Sequence, residues 1–240
     1  LWLMAVIALV AGIAVLALKH PSSLFSATGI AIGAWLVLGA LVEVAERTRL
    51  GRAPLAEVGR RLGGLPRGAW GMTLAHLGLG LFVLGACFET AWKVEMAQSL
   101  GVGGQAKLGA YVLTLDSVSP ADGANYAAER GQITVTKAGH RICSAGPERR
   151  LYYAGGQQTS EVAICQRALD DVYLVLGERR AGPGGSPAWV VRAYYNPWAR
   201  LIFFGPIIMA LGGLISLSDR RLRFALPRRA AEIAAVGPAE

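Results

Sequence analysis

Trp70-Gly71-Met72-Thr73-Leu74-Ala75-His76-Leu77-Gly78-Leu79-Gly80-Leu81-Phe82-Val83-Leu84-Gly85-Ala86-Cys87-Phe88 decides how this chain is read. The stretch holds no formal charge and a single imidazole. A helix needs about 20 mainly apolar residues to cross a hydrocarbon core of about 30 Å. With its flanks, from about Ala69 to Trp92, this run is long enough. Three more runs share its character: Leu1–Leu18, Leu24–Val42 and Trp198–Leu217. Soluble helices of such length and purity are rare. The sequence therefore predicts a membrane α-helical bundle of four transmembrane helices.

Composition agrees with that reading. Of 240 residues, 53% are hydrophobic and 17% charged, whereas soluble domains carry about 25% charged residues. The net charge of +8 raises the question of nucleic acid. Its placement answers it: the basic residues cluster at the ends of apolar runs, where membrane topology puts them. No nucleic-acid partner is expected. The chain opens inside an apolar run without a charged n-region or a small-residue cleavage site. A signal peptide is therefore not expected, and a fragment or trimmed chain is.

Arginine sets the expected orientation. Arg47, Arg49, Arg52, Arg60, Arg61 and Arg67 lie between the second and third runs. Arg220, Arg221, Arg223, Arg228 and Arg229 follow the fourth. Both segments are predicted to be cytoplasmic. The organisation read from this is residues 1–92 for three spans with a cytoplasmic loop at 44–68, then an outer domain at 93–197. The fourth span follows at 198–218 and a cytoplasmic tail at 219–240. The Lys19-His20-Pro21-Ser22-Ser23 turn falls outside, and the end of the tail is too weakly patterned to hold a fold. Within the loop, Pro54 to Leu62 spaces its apolar residues helically, which predicts a short interfacial helix.

The outer segment changes period. Tyr111–Leu115, Gln132–Thr136, Val172–Leu176 and Trp189–Tyr194 alternate as strands do. Pro120-Ala121-Asp122-Gly123, Ala138-Gly139 and Gly182-Pro183-Gly184-Gly185 separate them as turns. About 100 residues of short strands predict an inserted all-β domain, a small barrel or sandwich.

Few residues carry chemistry. Cys87, Cys143 and Cys165 have neither CxxC nor zinc spacing. Cys143 and Cys165 fall outside, where oxidation is possible, and sequence leaves their pairing open. Gly101-Val102-Gly103-Gly104 opens no helix, so it is not a dinucleotide signature. His140 sits in a hairpin-like turn, and His20 lies at the outer boundary, either interfacial or facing a pocket. Trp92 and Trp198 read as interfacial anchors. Glu89 and Lys93 are spaced to pair. Arg192 and Arg200 are expected near the outer surface, as headgroup or structural contacts or as partners of carboxylates.

His76 stands apart. An ionisable residue inside a bilayer is expensive and faces the bundle interior. Gly71, Ala75, Gly78 and Gly80 surround it, and small residues permit close approach. Gly80 lies one turn on, on the same face, where a broad flat ligand would need clearance. Neutral imidazole is a common axial ligand of haem iron. A histidine bonded to a neighbouring helix fits the same residues, and sequence leaves both readings open.

Three stretches resemble a known family. They are Trp70 to Gly78, then Pro147-Glu148-Arg149-Arg150 through Tyr152 to Thr159–Ile164 and Asp171–Glu178. The last is Arg192-Ala193-Tyr194-Tyr195-Asn196-Pro197 with Met209 to Arg221. Asn125-Tyr126 and Gly131 also fit. Together they resemble the C-terminal part of the CcmF family, membrane components of bacterial cytochrome c maturation. The resemblance implies a bacterial inner membrane location, with residues 93–197 periplasmic. It implies that His76 is an axial ligand of haem b, with Met72 and Gly80 facing the macrocycle.

It further implies a haem lyase subunit that helps reduce haem and pass it from holo-CcmE to apocytochrome c. CcmH is the implied partner and quinol an implied electron source. The tryptophan-rich WWD segment and the second haem ligand do not occur in these 240 residues. The resemblance assigns them to the family's N-terminal part, so a truncation or one half of a split system is expected. Two other readings fit the same residues: a non-enzymatic assembly module and a haem transporter.

Overall fold

Pro66 starts the decisive helix, its carbonyl accepting the amides of Ala69 and Trp70 at 3.0 and 3.3 Å. Proline before a first turn suits a helix start, where amides are otherwise unpaired. The computed structural model describes residues 2–18 and 24–219. The turn at 19–23 with His20, and the tail from 220 on, lie outside the described residues.

Among the described residues five α-helices are found: α1 (Trp2–Leu18), α2 (Leu24–Thr48), α3 (Leu55–Gly63), α4 (Arg67–Trp92) and α5 (Arg200–Leu217). Three of them, α2, α4 and α5, are long and apolar enough to cross a membrane. α1 is apolar over the shorter stretch Met4–Ala17. α3 covers the expected loop helix; none of its side chains is buried, and Arg61 bonds Glu57 one turn back at 2.6 Å.

Two compact units emerge, Leu1–Cys87 with Leu201–Glu240, and Phe88–Arg200. In the helical unit, glycines bring backbones together. On α4, Gly71, Gly78 and Gly85 recur every seven residues. A Cβ on Gly78 would lie 2.5 Å from the Gly205 carbonyl oxygen and 2.7 Å from the Met209 amide of α5. One on Gly71 would lie 2.5 Å from the Gly212 oxygen. Gly205 and Gly212 return the contact, with Gly78 O and Gly71 O within 2.6 and 2.7 Å of their own Cβ positions. Inside a membrane, such close packing replaces the hydrophobic drive that water supplies. On its other side α4 meets α2, where a Cβ on Gly33 would lie 3.1 Å from Gly80 O.

The second unit is a sandwich. One sheet runs β1 (Val94–Leu100), β10 (Pro187–Asn196), β9 (Asp171–Ala181), β8 (Ala163–Gln166). The other runs β2 (Gln105–Leu108), β3 (Tyr111–Pro120), β4 (Tyr126–Lys137), β6 (Glu148–Tyr152), β7 (Gln158–Glu161), with β5 (His140–Ala145) also on β4. All pairings are antiparallel. The four expected strands lie inside β3, β4, β9 and β10, and their alternation is the core. Leu113, Leu115, Val135, Leu174 and Val191 are fully buried between the sheets.

Ala138 and Gly139 make a two-residue hairpin turn with φ of 49° and 80°. Left-handed backbone at both positions matches the twist of the strands it joins. His140 opens β5 beside it and is exposed.

Two features that sequence left open or hid hold the sandwich. Cys143 of β5 and Cys165 of β8 form a disulfide, Cα to Cα 6.1 Å, that ties one sheet to the other. Glu148, 4% exposed, is held by Arg130 and by Arg150 at 2.8 Å. Burial alone would raise its carboxyl, but the two arginines outweigh burial and hold it below the usual range. Arg150 also lies over the Tyr126 ring, 4.4 Å from its centroid.

Gly78→Leu should separate α4 from α5, so a reconstituted sample should lose the thermal transition of its helical part. Replacing Cys143 and Cys165 by serine should cost the sandwich about 3 kcal/mol from the closed loop alone, measured by urea unfolding. Glu148 titrates below its unfolded value of about 4.3, so its contribution is complete above that value and fades as pH falls through the folded one. Glu148→Gln should therefore lower stability at pH 7 by about 2 kcal/mol and flatten the acid limb of a stability–pH curve.

Candidate functional site

His76 lies nine residues into α4, about 14 Å along the helix axis from Arg67. Its Nδ1 is 2.9 Å from the Met72 carbonyl one turn back. A carbonyl only accepts, so Nδ1 must donate. In the neutral ring the lone pair then sits on Nε2. A backbone acceptor on the other nitrogen is how metal-binding imidazoles are oriented.

The ring forms one wall of a groove of about 410 Å3. The opposite wall is α2, with Trp35, Leu36, Gly39, Ala40 and Val42. Glu43 and Glu46 close one end. Glu43 is paired with Arg47 at 2.5 Å, so one of these two acids is already compensated. The site thus offers a nitrogen donor, an apolar aromatic wall and an acidic end. Among the described residues no group of three or more His, Cys, Asp or Glu could hold a bare metal ion. One nitrogen donor beside a flat apolar wall suits a planar metal complex that brings most of its own ligands.

The structure places the other expected site residues differently. Gly80 is buried under α2; a Cβ there would lie 2.7 Å from Val37 and 3.0 Å from Gly33 O. The space its missing side chain leaves is taken by a helix, which corrects the expected clearance for a flat ligand. Met72 is 40% exposed and lends His76 its carbonyl, but its side chain is not part of the groove wall. The acidic end on α2 was not foreseen, because nothing in a linear pattern says which face of α2 meets α4.

The remaining candidates serve the sandwich. Arg200 donates to the Arg167 carbonyl at 2.7 Å. Phe88 stacks on Trp92 and on Trp198 at centroid distances of 5.0 and 4.9 Å. Lys93 lies 4.0 Å from Glu89 but only 2.9 Å from Glu95. The nearer bond with Glu95 is the main reason its ammonium titrates above the usual lysine range. Arg192 is exposed on β10 and lines a separate cleft.

Residues 91–197 match the family described as the CcmF C-terminal beta-sandwich. A cytochrome c-type biogenesis protein CycK from Bradyrhizobium diazoefficiens is 35% identical over 235 residues, which cover 96% of this chain and 35% of the relative. The chain corresponds to the C-terminal part of CcmF. CcmF of Pseudomonas aeruginosa is 33% identical over 201 residues, covering 84% of this chain and 29% of that protein. This chain thus spans about a third of the length of the CcmF-type relatives it matches. A solved structure named cytochrome c heme lyase CcmF superposes with a TM-score of 0.65 over 90% of this chain and 34% of that one. At 16% identity the superposition shows a shared fold. Three membrane-capable helices and bacterial CcmF relatives, themselves named as cytochrome c-type biogenesis proteins, together mark a bacterial membrane protein.

Proposed function

We propose that this chain is the haem-holding C-terminal segment of a CcmF-type cytochrome c haem lyase. The observation that carries the reading is the His76 ring, fixed by the Met72 carbonyl with Nε2 left as the donor at a groove wall. In this reading all four apolar helices span the inner membrane, arginine-rich segments face the cytoplasm, and residues 93–197 are periplasmic.

His76 would hold a haem b through Nε2, with Trp35 and Leu36 lining the groove across from it and Met72 a further contact beside His76. Bound there, the group supplies one-electron transfer. The chain's own part would be to hold the donor nitrogen in one tautomer through the Met72 carbonyl and to set it against the apolar face of α2. The groove of about 410 Å3 would take part of such a group. The second ligand and the other wall then come from the N-terminal CcmF segment, which also carries the WWD domain. Holo-CcmE, CcmH, apocytochrome c and quinol are the proposed partners, and reduction of the delivered haem before thioether formation is the proposed role.

The test is the optical spectrum of the complete complex purified in lipid. Haem b bands should be present and should fall to background in His76→Ala, while assembly by size exclusion is unchanged. Added imidazole should restore part of the spectrum by filling the space the ring leaves. If His76→Ala keeps its full haem b bands and loses CcmH binding instead, the segment is an assembly module and the haem reading is wrong.

A further inference from the structure

A cleft of about 280 Å3 opens on the sandwich. Its floor is the outer face of β9 and β10, where Val175, Gly177 and Val190 lie. These positions alternate with Leu174, Leu176 and Val191, which point into the core. The floor is therefore small and apolar. Gly177 lies under Val190, and a Cβ there would sit 2.8 Å from the Val190 carbonyl oxygen.

The rim is basic. Arg149 from β6, Arg180 from β9 and Arg192 from β10 all line it. Glu178 is the one acid on the lining, and it lies 3.8 Å from Arg180. Arg149 donates to the neutral Gln158 side chain at 2.7 Å. Among the described residues neither Arg149 nor Arg192 has a carboxylate within ion-pair distance. Two uncompensated guanidinium groups on one concave surface repel each other and favour an anion between them. Guanidinium is also the group that takes carboxylates two-pronged.

The third wall says what kind of anion. Gln158, Thr159 and Ser160 are consecutive and all line the cleft. Successive side chains of a strand point to opposite faces, so the cleft is meeting the edge of β7 and not one face of it. Among the described residues β7 ends its sheet with β6 as its one strand partner, and the Ser160 hydroxyl donates across to the Leu176 carbonyl of β9 at 3.3 Å. An edge strand presents unpaired amides and carbonyls to an incoming chain. A free phosphate or a headgroup uses arginines but has no use for a strand edge.

We propose that this cleft binds an acidic, extended peptide segment of a partner protein. The segment lies along β7, its small apolar side chains rest over Gly177 and Val190, and its carboxylates meet Arg149 and Arg192. This goes beyond the haem reading and stands without it, since no groove residue near His76 takes part.

The test uses the full chain in neutral-lipid nanodiscs and a fluorescein-labelled peptide of alternating glutamate and valine. Anisotropy should show saturable binding that weakens as sodium chloride rises. Arg149→Gln with Arg192→Gln should weaken it at least tenfold, while Lys107→Gln, a cation on β2 outside the cleft, should leave it unchanged. A lysine–valine peptide should not bind the parent chain but should bind Arg192→Glu, an outcome that loss of folding cannot mimic. The proposal fails if the acidic peptide does not bind, or if the control variant weakens it equally. It fails also if inorganic phosphate competes as well as the peptide does, or if only vesicles of anionic phosphatidylglycerol bind.

Discussion

Contact of bare backbone with bare backbone between α4 and α5 is the constraint on which the helical unit depends. Gly71 and Gly78 face Gly212 and Gly205 so closely that any side chain would strike a carbonyl or an amide. Helices in lipid gain little from hiding apolar surface, because the lipid is itself apolar; they gain from dispersion at short range and from satisfied polar contacts. A seven-residue repeat of glycine gives α4 one face for α5. It thereby fixes which face is left for α2, and the groove holding His76 lies on that second side. The imidazole is placed by a packing decision made elsewhere on the same helix.

The sandwich solves a different problem. It is built around a buried apolar core, and the alternating Tyr111–Leu115 and Val172–Leu176 stretches supply that interior. Around that core, charged groups are arranged in a few tight clusters. Glu148 sits between two arginines, and Tyr195 donates to Asp170 at 2.9 Å while Arg167 donates to the Tyr111 hydroxyl at 3.0 Å. Burial and the Asp170 carboxylate push the Tyr195 phenol well above its usual range, so it stays a donor at any physiological pH. Glu148 and Arg150 of the first cluster and Tyr195 of the second fall within the Pro147–Arg150 and Arg192–Pro197 stretches that carry the family likeness.

What could be read from sequence followed a physical division. Long apolar runs and strict alternation survive any tertiary arrangement, so the helices and the four central strands were legible. The edge strands were not: Gln158–Glu161 is entirely polar, and β5 and β8 are short, so pairing and a disulfide define them. His76 stood out as an imidazole in an apolar run, where a histidine bonded to a helix and a ligand fit the same pattern. Gly80 misled because helical spacing puts it on the His76 side, whereas what occupies that side depends on α2. The wall formed by Trp35 and Leu36 needed the fold to bring it across.

The Cys143–Cys165 bridge has one more consequence. Cys165 is 4% exposed and sits within the hydrophobic core, so a thiolate has no straight path to its sulfur. Exchange requires in-line attack on a sulfur atom, and attack with Cys165 as the target must wait for the sheets to part. Against a protein or small-molecule reductant the Cys165 end is guarded by the cooperativity of the fold around it, and the half-buried Cys143 is the sulfur open to attack. The pace at which the Cys165 sulfur becomes reactive would then be a clock for the breathing of the two sheets.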